Sequence, residues 1–202
     1  MINTEKAFYG QQEDEKILYV VKPHIIATFI GLLKLYLVAF AALIMFFVLG
    51  GTVSLSGIFY TAGIIIFAVL MVFGTRIIQG FQDRSISYIT DRRIVRFEPT
   101  TFFATNIRTL SWDESVKVKT FSPNILWKQM MVGTVVVHAR TTVKTSDENV
   151  SHTAADDIEL TDIFLYRDLG NYIDKILFTY KQMPKEVADI HPFVPKPKGQ
   201  RY

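Results

Sequence analysis

Two long apolar stretches, separated by a short uncharged break, dominate the first half of the chain. They run from Ile25 to Leu49 and from Ile58 to Ile78, and each contains a single charged side chain. About twenty helical residues cross a hydrocarbon core of roughly 30 Å, so each stretch is long enough to span a bilayer. We therefore predict a transmembrane hairpin at residues 25–80, with spans at about 28–49 and 58–78.

Charged residues around the hairpin predict its orientation. The break at residues 50–57 is uncharged, whereas arginines follow in and after the second stretch: Arg76, Arg84, Arg92, Arg93 and Arg96. Positive side chains are retained on the cytoplasmic side, so we expect a multi-pass protein of the cytoplasmic (inner) membrane with both termini in the cytoplasm. Lys34 either marks an ion or substrate path or extends its ammonium to the cytoplasmic interface. We favour the second reading, because the second stretch offers no acidic partner.

After the hairpin the pattern changes to an alternation of apolar and polar residues. Examples are Ile86–Tyr88, Val95–Phe97, Val116–Val118 and Val135–Ala139. A period of two places one set of side chains in a core and the other in solvent. Turn-forming residues interrupt the alternation at roughly regular spacing, which predicts six or seven short strands in an antiparallel sandwich or barrel.

After the predicted strands, apolar residues recur at intervals of three and four positions. Apolar residues recur in this way from Leu165 to Tyr180, which predicts an amphipathic helix with Asp162 as a candidate N-cap. Such a helix must bury its apolar stripe, and the sheet or its open end is the nearest partner. We therefore place one domain at residues 82–182, a usual size for a small domain.

The two ends of the chain lack sustained apolar periodicity. We interpret residues 1–24 as an N-terminal cytoplasmic tail and juxtamembrane segment, mobile as far as Lys16. Within it Ile17–Val21 is a short β-branched and aromatic run, either a strand that pairs with the later domain or an interfacial linker. Residues 183–202, rich in proline and lysine, are predicted to form a disordered tail.

Three segments resemble the bacterial pleckstrin-homology-like (PH-like) domains of membrane-anchored type. They are Lys16–His24 before the first span, Tyr88–Ile94 at the opening of the domain, and Val132–Val135 after a short apolar loop. The resemblance reaches to about Gln182. It implies an α+β membrane protein in which a two-helix transmembrane hairpin precedes a PH-like β-barrel or sandwich capped by a C-terminal helix. The chain departs from this family in two places. One is the Pro/Lys tail, and the other is the acidic insert at residues 147–157, whose negative charge argues against the binding of anionic lipid there.

Composition narrows the chemistry. The 202 residues are 50% hydrophobic and include no cysteine, which excludes disulfides, thiolate catalysis and cysteine-based metal sites. The net charge of +3 is too small to indicate nucleic acid. No nucleophile elbow, phosphate loop or facing carboxylate pair is present, so we expect no enzymatic activity and no cofactor or metal. His152 with Asp156 and Asp157 is a weak candidate cation site, and a solvated loop is the favoured reading.

Basic residues next to the membrane are the best functional candidates. We predict that the following residues contact anionic lipid headgroups: Arg84, Arg92, Arg93, Arg96, Lys196 and Lys198. Each basic residue near such a surface contributes about 1 kcal/mol. The structural alternative is that the arginines only set topology and coat a strand. Trp127 and Lys128 form a candidate interface anchor, although Trp127 could equally pack inside the domain.

These features predict a non-enzymatic, membrane-tethered binding or scaffolding module that presents a PH-like domain at the cytoplasmic membrane surface. Its expected partners are the lipid bilayer, anionic headgroups, and an unidentified protein or a second copy of the chain. The alternative is a structural or assembly subunit of a larger membrane complex that packs through its hairpin. Small residues that would permit such close helix approach are Gly57, Ala62, Gly63 and Ala68.

Overall fold

The computed structural model describes residues 8–52, 56–101, 103–140 and 157–195. These residues fall into two units. The helical unit contains Ile25–Arg84 together with Thr101 and Phe103, and the β unit contains residues up to His24, Ser85–Thr100 and residues from Ala104 onward. Residues 25–84 are therefore an insertion in the sequence of the β unit.

The helical unit consists of two long helices. Helix α1 spans Ile25–Thr52 and helix α2 spans Ser56–Arg84, with a π-helical segment at Leu70–Gly74. Both are long and apolar enough to cross a membrane. In the most apolar 18-residue stretch of each helix, only 6% of the residues are buried. Helix α1 extends into the predicted break, since it continues through Gly50 and Gly51 to Thr52. Helix α2 also continues past the predicted end of the second span.

Glycines allow α1 and α2 to approach closely. A Cβ atom at Gly63 would lie 2.8 Å from Cβ of Phe46, and one at Gly74 would lie 2.7 Å from a methyl carbon of Leu35. Both distances are too short for ordinary contacts. Gly63, predicted as a lateral packing residue, thus serves packing inside the hairpin, while Gly57 has no such neighbour within 4 Å.

The β unit contains two antiparallel sheets. Sheet A has the order β1-β2-β3-β4, with strands Ile17–Val21, Ile86–Thr90, Arg93–Pro99 and Thr105–Ser111. Sheet B has the order β5-β6-β7, with strands Ser115–Phe121, Val132–Ala139 and Ile158–Phe164. The alternating segments therefore form two antiparallel sheets, as the period of two predicts.

Strand β1 resolves the two readings of Ile17–Val21. It pairs antiparallel with β2, and Val21 lies opposite Ser87. Leu18, Val21 and Trp112 are buried in the larger of two apolar clusters of the β unit, called the main core below. The indole N–H of Trp112 donates to the carbonyl of Thr90 at 3.0 Å. The β unit is thus incomplete without residues that precede the helical unit, and it does not begin at residue 82.

One helix closes the main core. Helix α4 spans Tyr166–Gln182, packs against β5 and β6 of sheet B, and buries Leu169, Ile173 and Ile176 completely in the main core. It begins later than predicted, because Asp162 lies within β7 in a left-handed conformation with φ of 57° and does not cap the helix. A shorter helix, α3, spans Ile125–Gln129 between β5 and β6.

Both ends of the β unit pack where the sequence predicts tails. A 3-10 helix at Pro184–Asp189 follows α4, and Val187, Ile190 and Phe193 are buried in the main core. At the other end Phe8 packs on the opposite face of sheet A, in a second cluster with Ile17, Tyr88 and Val95. The predictions of a mobile segment to Lys16 and a disordered segment from residue 183 are therefore wrong for residues 8–16 and 183–195. Residues 1–7 and 196–202 lie outside the described part.

Tyr172 helps to hold the C-terminal segment. Its hydroxyl donates to the carbonyl of His191 at 2.9 Å, and its ring lies 5.4 Å from the ring of Phe193. Burial raises the pKa of Tyr172 to about 12. The side chain therefore remains a neutral donor throughout the physiological pH range.

Candidate functional site

Arg93 on β3 forms an internal ion pair with Glu15. Its Nε and Nη2 donate to the two carboxylate oxygens at 2.9 Å each, and Nη2 also donates to the carbonyl of Gly10 at 2.7 Å. The Glu15 side chain has no exposed surface and also accepts a hydrogen bond from the Thr90 hydroxyl. Arg93 therefore fastens the segment after Phe8 onto sheet A.

The charge state of this pair follows from its contacts. Burial acts to raise the pKa of Glu15, but hydrogen bonds from Arg93, the Gln12 N–H and Thr90 outweigh burial and lower the pKa below its usual 4.5. The same contact raises the pKa of Arg93. Both side chains are therefore charged at neutral pH, as a two-bond guanidinium–carboxylate pair requires.

The other candidate arginines occupy different places. Arg92 lies in the exposed β2–β3 turn and donates to the amide oxygen of Gln12 at 2.9 Å. Arg96 points between the sheets, donating to the carbonyl of Glu159 on β7 and to the carboxylate of Glu98. Arg84 ends α2 in the helical unit. Within the β unit, Arg92, Arg93 and Arg96 thus make separate contacts, and Lys196 and Lys198 lie outside the described residues.

The position of Arg92 and Arg93 bears on the predicted lipid contact. Strand pairing places Val21 beside Ser87, at the end of sheet A where the chain passes to and from the helical unit. The β2–β3 turn lies at the opposite end of the same strands. These contacts favour the structural reading that the sequence leaves open for these two arginines, and their contact with lipid stays a prediction.

The end of the β unit near His24 has a different character. The backbone N–H of His24 donates to the carbonyl of Asp162 at 2.7 Å, and its ring stacks on Phe164 at 5.3 Å. Phe164 pairs with Val132, the first residue of β6. The chain therefore leaves the β unit beside the end of β7 and the start of β6.

The connection between β5 and β6 lies at this end and is unusually apolar. In helix α3 the side chains of Ile125 and Leu126 are 81% and 73% exposed. Four neighbouring side chains are also exposed: Phe121, Met130, Met131 and Phe164. The signal in the sequence is an apolar run in a connection between strands, where polar residues are usual. Sequence reasoning named only Trp127 and Lys128 from this segment.

The backbone of this connection is held in one shape. The Asn124 side chain accepts a hydrogen bond from the Trp127 N–H at 2.9 Å and so caps α3. The Ser122 hydroxyl donates to the carbonyl of Val132 at 3.1 Å, and the Leu165 N–H donates to the carbonyl of Met131 at 2.8 Å. Trp127 itself is half-buried and Lys128 is exposed. The exposed apolar side chains therefore project from a defined scaffold.

His138 and Asp157 form the other notable polar contact. Nδ1 of His138 lies 2.7 Å from one carboxylate oxygen of Asp157, and the other oxygen accepts a hydrogen bond from the Ala139 N–H. This contact joins the ends of β6 and β7 across the acidic insert. Among the described residues no group of three or more His, Asp or Glu side chains could hold a metal ion. His152 and Asp156 lie outside that part, so the favoured reading of a solvated loop over a weak cation site stays a prediction.

Comparisons with known proteins found no match to this chain. No family model, curated protein or solved structure matched it.

Proposed function

We propose that this protein is a non-enzymatic, membrane-tethered binding or scaffolding module. Helices α1 and α2 would cross the membrane, and the β unit would be presented at its cytoplasmic surface. The observation that carries the proposal is the burial pattern of the helical unit. Large apolar side chains along both helices face outward. Only 6% of the residues in the most apolar 18-residue stretch of each helix are buried.

The physical reason is the cost of exposing apolar surface to water. Leaving one Leu, Ile or Phe side chain exposed rather than buried costs about 1.5–3 kcal/mol. Exposed residues of this kind include Phe29, Leu37, Phe40, Ile64 and Phe73. A hydrocarbon environment removes that cost and lets helices satisfy their own backbone hydrogen bonds.

The orientation belongs to the same proposal. Arginines after the second apolar stretch and an uncharged connection between the stretches favour cytoplasmic termini in an inner membrane. A PH-like identity for the β unit is also part of it, supported by a four-stranded and a three-stranded antiparallel sheet with one helix after the last strand. Domains of that kind bind lipids, peptides or one another, which is the basis for proposing a binding role.

The alternative, an assembly subunit that packs through its hairpin, has less support. Gly63, one of the small residues suited to a lateral contact, already faces Phe46 of the partner helix. Lateral association would therefore have to rest on small residues that stay exposed, such as Gly57 and Ala68.

Cysteine labelling in intact cells tests the proposal. The chain has no cysteine, so Thr52→Cys at the end of α1 and Asp113→Cys in the exposed β4–β5 turn give single reactive thiols. We expect an impermeant maleimide to label the first in intact cells and the second only after lysis. Labelling of Asp113→Cys without lysis would reject the orientation, and extraction of the protein by alkaline carbonate would reject the membrane span.

A further inference from the structure

The β5–β6 connection has the chemistry of a membrane-docking surface. We infer that residues 121–131, called the docking loop below, insert their exposed apolar side chains into the interfacial region of an anionic bilayer. The inference rests on the proposed function, since it assumes that the hairpin holds the β unit at a membrane. It adds a second, reversible contact between the β unit and the lipid.

Exposure is the first observation. Ile125 and Leu126 project from α3, and Phe121, Met130 and Met131 lie beside them along the loop. A contiguous group of large apolar side chains on an otherwise water-facing surface marks a site of interaction. Exposed Ile and Leu side chains next to lysine are suited to the boundary between headgroups and acyl chains.

Position is the second observation. His24, the last residue before α1, stacks on Phe164. Leu165, the next residue, is hydrogen-bonded to Met131 of the docking loop. The loop therefore lies at the end of the β unit from which the chain enters the first apolar helix. A second copy or a soluble protein would not require this placement, whereas a lipid surface does.

Charge is the third observation. From Ser115 to Ala139 the chain carries three lysines, Lys117, Lys119 and Lys128, and no acidic residue. Lys117, Lys119 and Phe121 alternate on β5 and so share one face of that strand. Lysines around an apolar group complement anionic headgroups, while the apolar side chains reach the acyl chains. This combination selects an anionic bilayer over a neutral one.

Depth-dependent quenching in the full chain tests the docking loop. A fluorophore would be attached at Leu126→Cys, and a matched control at Asp113→Cys, which lies at the other end of the sheets. Leu126 is largely exposed, so the substitution should leave folding intact. The protein would be reconstituted in nanodiscs of phosphatidylcholine and phosphatidylglycerol that contain a nitroxide near the top of the acyl chain.

We expect the probe at position 126 to be quenched at least three-fold more than the control. Equal quenching at the two positions would overturn the inference. A probe at 126 that is shielded from water but not quenched by the lipid nitroxide would also overturn it and would identify a protein surface or second copy as the occupant. Neither result would alter the labelling pattern at Thr52→Cys, so failure of the docking loop and failure of the tether are distinguishable.

A charge series tests the choice of lipid. Replacing Lys119 and Lys128 by glutamine, or omitting phosphatidylglycerol, should reduce quenching at position 126 about two-fold. Lys175→Gln on the exposed face of α4 removes a positive charge far from the loop in sequence and should have no effect. Quenching that is the same in neutral and anionic nanodiscs would overturn the assignment of anionic lipid.

Discussion

The helical unit and the β unit place their apolar side chains in opposite ways. In α1 only Ala39 and Gly50 are buried among the described residues, whereas α4 buries Leu169, Ile173, Ile176 and Leu177. The same residue types thus face outward in one unit and inward in the other. The difference teaches that burial inside the chain stabilises the apolar side chains of the β unit but not those of the helical unit, whose helices are apolar enough to cross a membrane.

The two units also differ in how they use the chain. The two helices of the helical unit lie in one continuous segment and pair with each other as neighbours in sequence. The β unit is assembled from segments on both sides of that insertion, since β1 pairs with β2 across the whole hairpin. Three experiments exploit this difference, and they are ordered by expected effect.

Excision of the helical unit should have the largest effect. Residues 8–24 joined to 85–195 by a flexible linker of about eight residues should fold as a water-soluble domain, because Val21 already lies opposite Ser87. Residues 82–182 alone lack β1 and the C-terminal segment, and with them the buried side chains of Leu18, Val21 and Val187. Each such side chain contributes about 1.5–3 kcal/mol, so the short fragment should not fold.

Thermal unfolding followed by circular dichroism distinguishes the two chains. The joined chain should melt cooperatively, and the fragment should show no transition. A cooperative transition in the fragment would mean that neither β1 nor the C-terminal segment is needed, contrary to the view that the β unit is built across the insertion.

An aspartate on the buried face of α4 should destabilise the β unit, whereas an aspartate on its exposed face should not. Ile173→Asp places a carboxylate in the fully buried stripe and should cost several kcal/mol. Phe178→Asp, at a position 63% exposed on the same helix, should change stability little. Limited proteolysis of the reconstituted full chain measures both, with rapid cleavage of the β unit expected only for Ile173→Asp. Similar protease resistance of the two variants would contradict the assignment of the buried face.

The smallest effect concerns the ion pair that fastens the N-terminal segment. The lowered pKa of Glu15 means that its contribution to stability is present above pH 4.5 and is lost as the pH falls through the folded-state pKa. Glu15→Gln should therefore be less stable than the natural chain by roughly 2–3 kcal/mol at pH 7. The stability difference should narrow as the pH falls below 4.5 and should close once the pH is below the folded-state pKa of Glu15, where both chains lack the charged pair.

Emission from the buried Trp112 during urea unfolding of the joined chain provides the measurement. Glu114→Gln, an exposed glutamate in the β4–β5 turn, is the matched control and should show no such difference at any pH. If the difference in unfolding free energy between Glu15→Gln and the natural chain did not depend on pH, the effect would come from packing rather than from the charge.

Local patterns in this chain were sufficient for its local elements. Continuous apolar runs predict α1 and α2, the period of two predicts the strands, and the stripe from Leu165 to Tyr180 predicts the closing helix. These signals depend only on spacing along the chain, because helices and strands repeat at fixed intervals. Boundaries were less certain, as the late start of α4 shows.

The contacts between distant segments were decided only by the tertiary structure. Glu15 meets Arg93 across 78 positions, and Lys16 donates to the carbonyl of Ala188 across 172. No periodicity in the sequence marks these two contacts. The sequence alone therefore predicts Arg93 as a lipid contact, and it predicts the segments that contain Glu15, Lys16 and Ala188 as tails. The exposed docking loop likewise became visible only when β5, β6 and β7 were placed side by side.

The sequence by itself determined which segments of this protein are apolar enough to leave water and which alternate as strands. The tertiary structure decided that β1 belongs to a domain resumed sixty residues later and that Arg93 is used internally. It also decided that the apolar loop lies at the end of the β unit where His24 stacks on Phe164. The physical reason is that hydrophobic burial is non-directional, so pattern specifies that a residue is buried but not against what. Register, ion pairs and exposed surfaces are set by which segments meet.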